Sequence, residues 1–408
     1  MNTFVLINST NVETIYAEHT RIIQSLKSEF RRDFIDTIDW TERMLAIKGA
    51  RGVGKTTLML QHIKATFGNS SEALYVSMDN LQVAGLSIWE IAEYHHNHGG
   101  THIFIDEIHK YINWSIELKN IYDRLPGLFV VFSSSSILQI YKGYADLSRR
   151  VVSYHLNGLS LREFIQIEAK VKLPVLTLND MLENSVERTT EILELIKPLA
   201  YFKAYLRHGY YPFYLQNKKS YYQKLNTILN VTLEVDLPYI LDINTGNVSK
   251  IKRLLKIIAG AVPFQPNISK LAESVDLNRN TLTQYLLYLE QSELLNLLTS
   301  TEKSYGHLTK PEKIFLQNPN LSYAFSYDEP QIGTQRELFF LNQIRAAEQV
   351  NFSKIGDFIV REKYVFEVGG SKKTFSQIAD VNHSYLALDE IEIGTRNRIP
   401  LWLFGFLY

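Results

Sequence analysis

The stretch Gly49-Ala50-Arg51-Gly52-Val53-Gly54-Lys55-Thr56 matches the pattern G-x-x-x-x-G-K-[ST] in full, and its reading decides the fold. Small residues let the backbone curl so that successive N–H groups face a phosphate, which then sits at the positive end of the following helix. Lys55 reaches the β- and γ-phosphate oxygens, and the Thr56 hydroxyl completes a Mg²⁺ shell. Thr57 carries the chain into the helix, so residues Gly49 through Thr57 form the expected nucleotide-binding set. The flanks agree with this reading. Met44–Lys48 is a short apolar run suited to a buried strand, and Thr57–Phe67 has helical spacing.

Outward from the loop, short apolar runs alternate with helical stretches: Leu45–Lys48, Ala73–Ser77, His102–Asp106, Leu128–Ser133 and Val151–Leu156. Alternation at this spacing predicts an α/β fold, a parallel sheet with helices on its faces. The third run, His102-Ile-Phe-Ile-Asp106-Glu107, ends in two acids. On a strand beside the loop, Asp106 would hold Mg²⁺ through water, and Glu107 would orient and deprotonate an attacking water. The two elements together predict hydrolysis of ATP or GTP, and no Asn-Lys-x-Asp guanine motif occurs. Ser133, with Ser134–Ser136 as alternatives, is placed to contact the γ-phosphate or the water. Arg149 and Arg150 precede the fifth strand, where one of them could act as an arginine finger, within the chain or across an oligomer interface. Either set could equally be polar surface. Asp79, after the second strand, could touch the metal shell, but a turn-forming Asp is the preferred reading. His95, His96, His98 and His102 are read as a polar loop, because Gly99-Gly100 breaks the helical spacing that a metal pair would need.

The chain has 408 residues, long enough for two to four domains. Zero cysteines exclude disulfides, thiolate metal sites and a cysteine nucleophile. Lys+Arg and Asp+Glu both number 43, which argues against coating nucleic acid by bulk charge. No apolar run approaches a membrane span, and MNTFVLINST lacks the features of a secretory leader, so a soluble cytoplasmic protein is expected, with no membrane partner.

GARGVGKTTL, HIFIDEIHK, FVVFSSSSIL and LSRRVVSYHLNGLSLREF resemble a family of prokaryotic AAA-like ATPases with an uncharacterised C-terminal region. The resemblance continues through HGYYPFYL, KPEKIFLQNPNL, DFIV, EVGGSKK and PLWLFGFLY. It implies ATP and Mg²⁺ as ligands, a P-loop sheet with a catalytic Glu, then a winged helix and a nuclease-like domain. Arg150 falls on the family's Gly-Arg position, with Arg149 in place of the Gly. The expected organisation is an N-terminal helical segment at 1–40, a P-loop ATPase core at 41–158 and a helical connector at 159–245. A winged helix at 246–305 and a restriction-endonuclease-like α/β domain at 306–408 complete it.

Residues 267–298 read as a helix-turn-helix without that help: a helix at Ser269–Val275, a turn, a helix at Arg279–Gln291 capped by Asn278, then a β-like segment. If the unit reads duplex DNA, Arg279, Asn280, Thr281, Thr283 and Gln284 would face the major groove, with Lys250, Lys252, Arg253 and Lys256 on phosphates. Packing against the ATPase core, or a protein partner, is the alternative. In the tail, Glu337, Asp357 and Glu367 resemble the carboxylates of a metal-dependent nuclease. The lysine expected two residues after Glu367 is Gly369, leaving Lys372 or Lys373 to reach back from a loop with support from Gln377. Residues 306–408 hold 11 Lys/Arg and 12 Asp/Glu, no charge excess to favour a phosphate backbone. The 24 tyrosines, dense between Tyr201 and Tyr222, suit interface packing better than base stacking. Asn244–Asn247 is read as a turn, and Lys363–Val368 and Leu401–Leu407 as strands.

Overall fold

The computed structural model describes residues 2–27, 30–83, 85–134, 147, 149–238, 245–261, 263–300, 310–325 and 329–408. The chain divides into two compact units, Met1–Leu156 and Asn157–Tyr408.

The first unit is built on strands β1 (Met44–Lys48), β2 (Ala73–Ser77), β3 (His102–Asp106), β4 (Phe129–Ser134) and β5 (Val152–His155). They form one sheet in the order β2-β3-β4-β1-β5, and every pairing is parallel. The continuous apolar runs explain this arrangement: β1 to β4 are buried nearly end to end, as strands covered on both faces must be. The register sets Lys48 level with Ser134 and Ser77 level with Asp106, so the strands end along one edge. β1 lies between two strands that follow it late in the chain. Chain order reverses there, and ligands of open α/β sheets enter at such a point. The strands fall within about a residue of the predicted runs.

Helices α1 (Asn2–Ser25), α2 (Lys55–Thr66), α3 (Ile88–Asn97) and α4 (Trp114–Arg124) surround the sheet. α3 starts at a capping box in which Ser87 and Glu90 satisfy each other's backbone N–H groups, worth about 1 kcal/mol. It buries Ile88, Ile91 and Ala92, and α4 buries Trp114, Leu118 and Ile121, in one core with β1 to β4. α1 adds Val12 and Ile15 to that core and shields an exposed sheet edge: Tyr75 on the edge strand β2 donates its backbone N–H to His19 Nδ1 at 3.0 Å.

The second unit begins with the helices Leu161–Ala169, Leu178–Glu183, Ser185–Leu195, Pro198–His208 and Tyr221–Val231. Tyr205, Tyr210, Tyr214 and Tyr221 are fully buried among them, which supports packing over base stacking. One buried amide in QNPNL ties together residues between Tyr205 and Tyr221. Asn320 Oδ1 accepts from Tyr210 N (2.9 Å) and the Tyr221 hydroxyl (2.5 Å), and its Nδ2 donates to Tyr205 O (3.0 Å) and Leu206 O (2.8 Å). Asn318 Nδ2 adds a bond to the Tyr211 hydroxyl at 3.1 Å.

Helices Thr245–Gly260, Ile268–Ser274 and Arg279–Gln291 follow, then an antiparallel pair, β6 (Leu295–Leu298) and β7 (Lys313–Leu316). Asn278 caps the third helix as expected, accepting from Thr281 N at 2.8 Å. The expected turn at Asn244–Asn247 is corrected: Asn244 lies outside the described residues, and Thr245–Asn247 already belong to a helix. Thr, Gly and Asn are favoured at helix starts as well as in turns, so composition alone does not separate the two.

The tail is a separate mixed sheet, β12-β11-β10-β9-β8, with β8 (Val350–Phe352), β9 (Phe358–Val360) and β10 (Tyr364–Gly369) antiparallel. β11 (Ser384–Leu388) and β12 (Arg398–Pro400) continue it in parallel. The helix Ile332–Arg345 packs on it, with Phe340 against Phe358, Phe366 and Phe404. Leu401–Phe406 is a 3₁₀ helix and not the strand expected there. All its residues are buried, so the apolar run carries no periodicity that would distinguish strand from helix.

Candidate functional site

The loop between β1 and α2 needs its glycines. Gly49 has φ +147°, and a Cβ there would lie 2.3 Å from Leu156 O; Gly54 caps α2 in the left-handed region at φ +100°. Ala50 and Val53 are buried beneath the loop, Arg51 and Gly52 are half-buried, and Thr57 is exposed in the first turn of α2. Lys55 is only 4% exposed, and its Nζ donates to Gly49 O (2.8 Å) and Ala50 O (2.9 Å). The cation is thus held inside the loop whose N–H groups would receive a phosphate.

Both acids predicted from β3 come to this loop's edge of the sheet. Thr56 Oγ1 donates to Asp106 Oδ2 at 2.6 Å, and the Tyr75 hydroxyl donates to the same oxygen at 2.9 Å. Ser133 Oγ donates to Asp106 Oδ1 and accepts from Glu107 N at 3.1 Å. Ser133 therefore spends its hydroxyl on the two acids. Burial, with the Asp106 carboxylate beside it, pushes the Tyr75 phenol far above its usual range and keeps it a neutral donor. Glu107 stands at φ +51°, in the left-handed region. Its Oε2 lies 3.6 Å from Arg51 of the loop and 3.3 Å from His109 Nε2. Desolvation first, then the charges of Lys110, Arg51 and Lys55, lower the His109 pKa to about 3, so the ring is neutral near pH 7.

Sequence reasoning missed Tyr75 and His109. Tyr75 carries no signal beyond being an aromatic residue in a strand. His109 had one, its place three residues after Asp106.

Arg150 requires a correction. It precedes β5 on the edge where the strands begin, and its guanidinium bonds Asp123 of α4 twice, at 3.0 and 3.1 Å. Together with Arg43 it flanks the Tyr122 ring at that edge. A strand of this length separates it from the loop by about 15 Å, so no finger role within the chain is open to it. The register explains the miss: a residue just before a parallel strand always falls on the far edge from one just after. Asp79 pairs with Lys110 at 3.9 Å and does not join Asp106. His98 bonds Tyr94 O, and no group of three metal-ligating side chains occurs among the described residues. Ser135 and Ser136 lie outside the described residues.

A second polar centre lies in the tail. Lys313 of β7 sits 3.8 Å from Glu337 and 3.6 Å from Asp357, while Lys373 pairs with Glu367 at 2.5 Å. The Lys373 stem crosses Gly369, where a built Cβ would meet it at 2.9 Å. The Gln377 amide nitrogen faces Glu367 Oε1. Burial, then the Asp357 charge, raises the Glu337 pKa to about 7.

This convergence of loop, threonine and acids agrees with comparison to known sequences. Residues 41–165 match the family model of an AAA domain. That stretch of the chain thus resembles an AAA domain, and it carries the parallel sheet and phosphate loop of a P-loop fold. Residues 199–331 match a domain of unknown function, DUF8612. An uncharacterized protein of Methanocaldococcus jannaschii is 23% identical, over 98% of this chain and 91% of its own length. Among solved structures, one of katanin, described for its self-assembly, aligns with 18% identity and a TM-score of 0.24, over 33% of this chain and 48% of its own. AMPPCP-bound DnaA from Aquifex aeolicus aligns with 14% identity and a TM-score of 0.23, over 63% and 84%. Superpositions this loose carry no argument. No described helix is long and apolar enough to cross a membrane.

Proposed function

We propose that the first unit binds Mg²⁺ and ATP, hydrolyses the β–γ phosphoanhydride, and uses the nucleotide state to reposition elements of the second unit. The observation that carries this reading is the direct bond from Thr56 to Asp106, which joins the phosphate loop to the acidic strand end. Two hard oxygen donors side by side fit Mg²⁺, and Thr56 and Asp106 would hold it. Bound there, the ion would spread charge from the β- and γ-phosphate oxygens. The loop N–H groups and Lys55 bind and orient the triphosphate. Glu107 takes the proton of the attacking water as its oxygen bonds the γ-phosphorus and the bridging oxygen leaves with ADP. Arg150, half-buried beside Asp123, is an arginine-finger candidate only across an oligomer interface. The test is the ATPase rate with and without duplex DNA, run beside size-exclusion analysis. Stimulation by DNA favours a motor or switch on nucleic acid, indifference favours a protein partner, and absence of turnover in both overturns the hydrolase reading.

Two observations in the second unit favour a role on DNA as a second reading. Helix Ile268–Ser274, helix Arg279–Gln291 and the β6–β7 pair follow the order of a winged helix, and Arg279, Asn280 and Gln284 are exposed. Arg279 and Lys310 also line a cleft of about 460 Å³. A nucleotide-gated DNA-binding regulator would bind duplex only with ATP and release it with salt. The other observation is Lys373, which supplies an ammonium to Glu367 from a loop in place of Gly369. An ATP-driven nuclease would cut DNA with Mg²⁺ or Mn²⁺ and lose cutting in Asp357→Ala; no cleavage across metals and DNA forms rejects it.

A further inference from the structure

β4 ends in Ser133 and Ser134, and successive strand residues point to opposite faces of the sheet. Only one of them can reach Asp106 directly, and that one is Ser133. Ser134 is fully buried on the other side, where its Oγ lies 3.2 Å from His109 Nδ1. His109, 1% exposed, sits in the short turn Ile108–Lys110 that follows Glu107. The left-handed backbone at Glu107 folds this turn back, bringing His109 Nε2 within 3.3 Å of Glu107 Oε2.

The chemistry gives this chain a direction. A carboxylate only accepts, so Nε2 carries the ring proton; in a neutral ring Nδ1 is then the acceptor, and the Ser134 hydroxyl donates to it. The other fully buried histidine of this unit has different contacts. His95 spends Nε2 on a backbone carbonyl, His102 O, and Nδ1 on the Tyr16 hydroxyl. His109 instead joins a strand-end side chain to an acid of the nucleotide site.

We propose that His109 is the positioning residue of Glu107, with Ser134 fixing its tautomer, so that the last two residues of β4 hold both acids of the site. The proposal rests on Glu107 being the general base. Misplacing a catalytic group by about 1 Å can cost about 10²-fold in rate, which sets the scale expected here.

The experiment compares steady-state ATP hydrolysis by the full chain with that of Glu107→Gln, His109→Ala, His109→Gln and Ser134→Ala. His109→Ala lowers kcat by about 10- to 100-fold with KM within about threefold, because only the transition state needs the oriented base. His109→Gln recovers most of the loss, since its amide N–H can donate to Glu107. Wild-type kcat in His109→Ala overturns the proposal, as does an equal loss in the Ala and Gln variants with KM rising in step. If His109→Ala fails to fold, Ser134→Ala decides on the same split of kcat from KM. No hydrolysis by the wild type, or full activity in Glu107→Gln, overturns the reading of Glu107 and the proposal with it. An inert Glu107→Gln beside a fully active His109→Ala overturns the proposal alone.

Discussion

Thr56 on α2 and Asp106 at the end of β3, fifty residues apart, meet at 2.6 Å. Neither element carries the chemistry alone: the loop supplies a cation and backbone donors, the strand end supplies acids. Their bond, with Tyr75 and Ser133 on the same carboxylate, fixes these oxygens relative to one another. Groups held this way need little reorganisation during reaction.

Lys55→Ala removes the buried cation together with its bonds to Gly49 O and Ala50 O. A charged hydrogen bond is worth about 1.5–3 kcal/mol, so ATP affinity falls by about 100-fold. Titration with a fluorescent ATP analogue checks this, and unchanged binding would remove Lys55 from the phosphate site.

Glu107→Gln keeps the side-chain shape and loses the base. Nucleotide stays bound while hydrolysis slows by about 10²- to 10⁴-fold. Single-turnover measurements separate the two effects, and wild-type turnover in the variant sinks the assignment of Glu107.

Acid destabilises the first unit through the buried His95 and the half-buried His62. Burial lowers the pKa of both His95 and His62 to about 4, from an ordinary 6.5. The unfolded chain takes up these protons first, so stability is full above about pH 6.5 and declines as pH falls towards 4. His95 contributes of order 1–3 kcal/mol to that decline. Thermal melts of the full chain between pH 7.5 and 4.5 should show it, with a shallower fall in His95→Gln.

Asn320→Ala leaves Tyr210 N–H, the Tyr221 hydroxyl and the carbonyls of Tyr205 and Leu206 without their amide partner. Each orphaned buried group costs about 1–3 kcal/mol, so the second unit should melt well below the wild type. Urea unfolding followed by tyrosine fluorescence measures the shift; a variant as stable as the wild type would mean that these segments are not held by Asn320.

Much of the first unit was legible because its signals are local. A phosphate loop is a contiguous pattern, and a strand buried on both faces is a contiguous apolar run, so Lys55, Thr56, Asp106 and Glu107 could be named from spacing. For Arg150 the sequence left a role within the chain and one across an interface both open, because distance from a strand does not say on which edge a residue falls until direction is considered. Tyr75 and His109 escaped because their significance lies in contacts across strands. In the tail, Lys373 could be suggested but not chosen over Lys372, since the choice depends on the loop path over Gly369. The PLWLFGFLY segment reads as a strand and folds as a 3₁₀ helix, because complete burial erases the pattern that separates the two.

Tyr75 has one further consequence. Its backbone is tied to His19 of α1 and its hydroxyl to Asp106, so a single edge-strand residue links the first helix to the acid beside the phosphate loop. The match to the AAA domain begins at residue 41, after that helix. A fragment cut at that boundary would keep every motif residue yet bare the outer rim of β2 and unhitch the tyrosine that steadies Asp106. The smallest fully competent piece of this enzyme candidate should therefore start before His19, upstream of where the recognisable sequence begins.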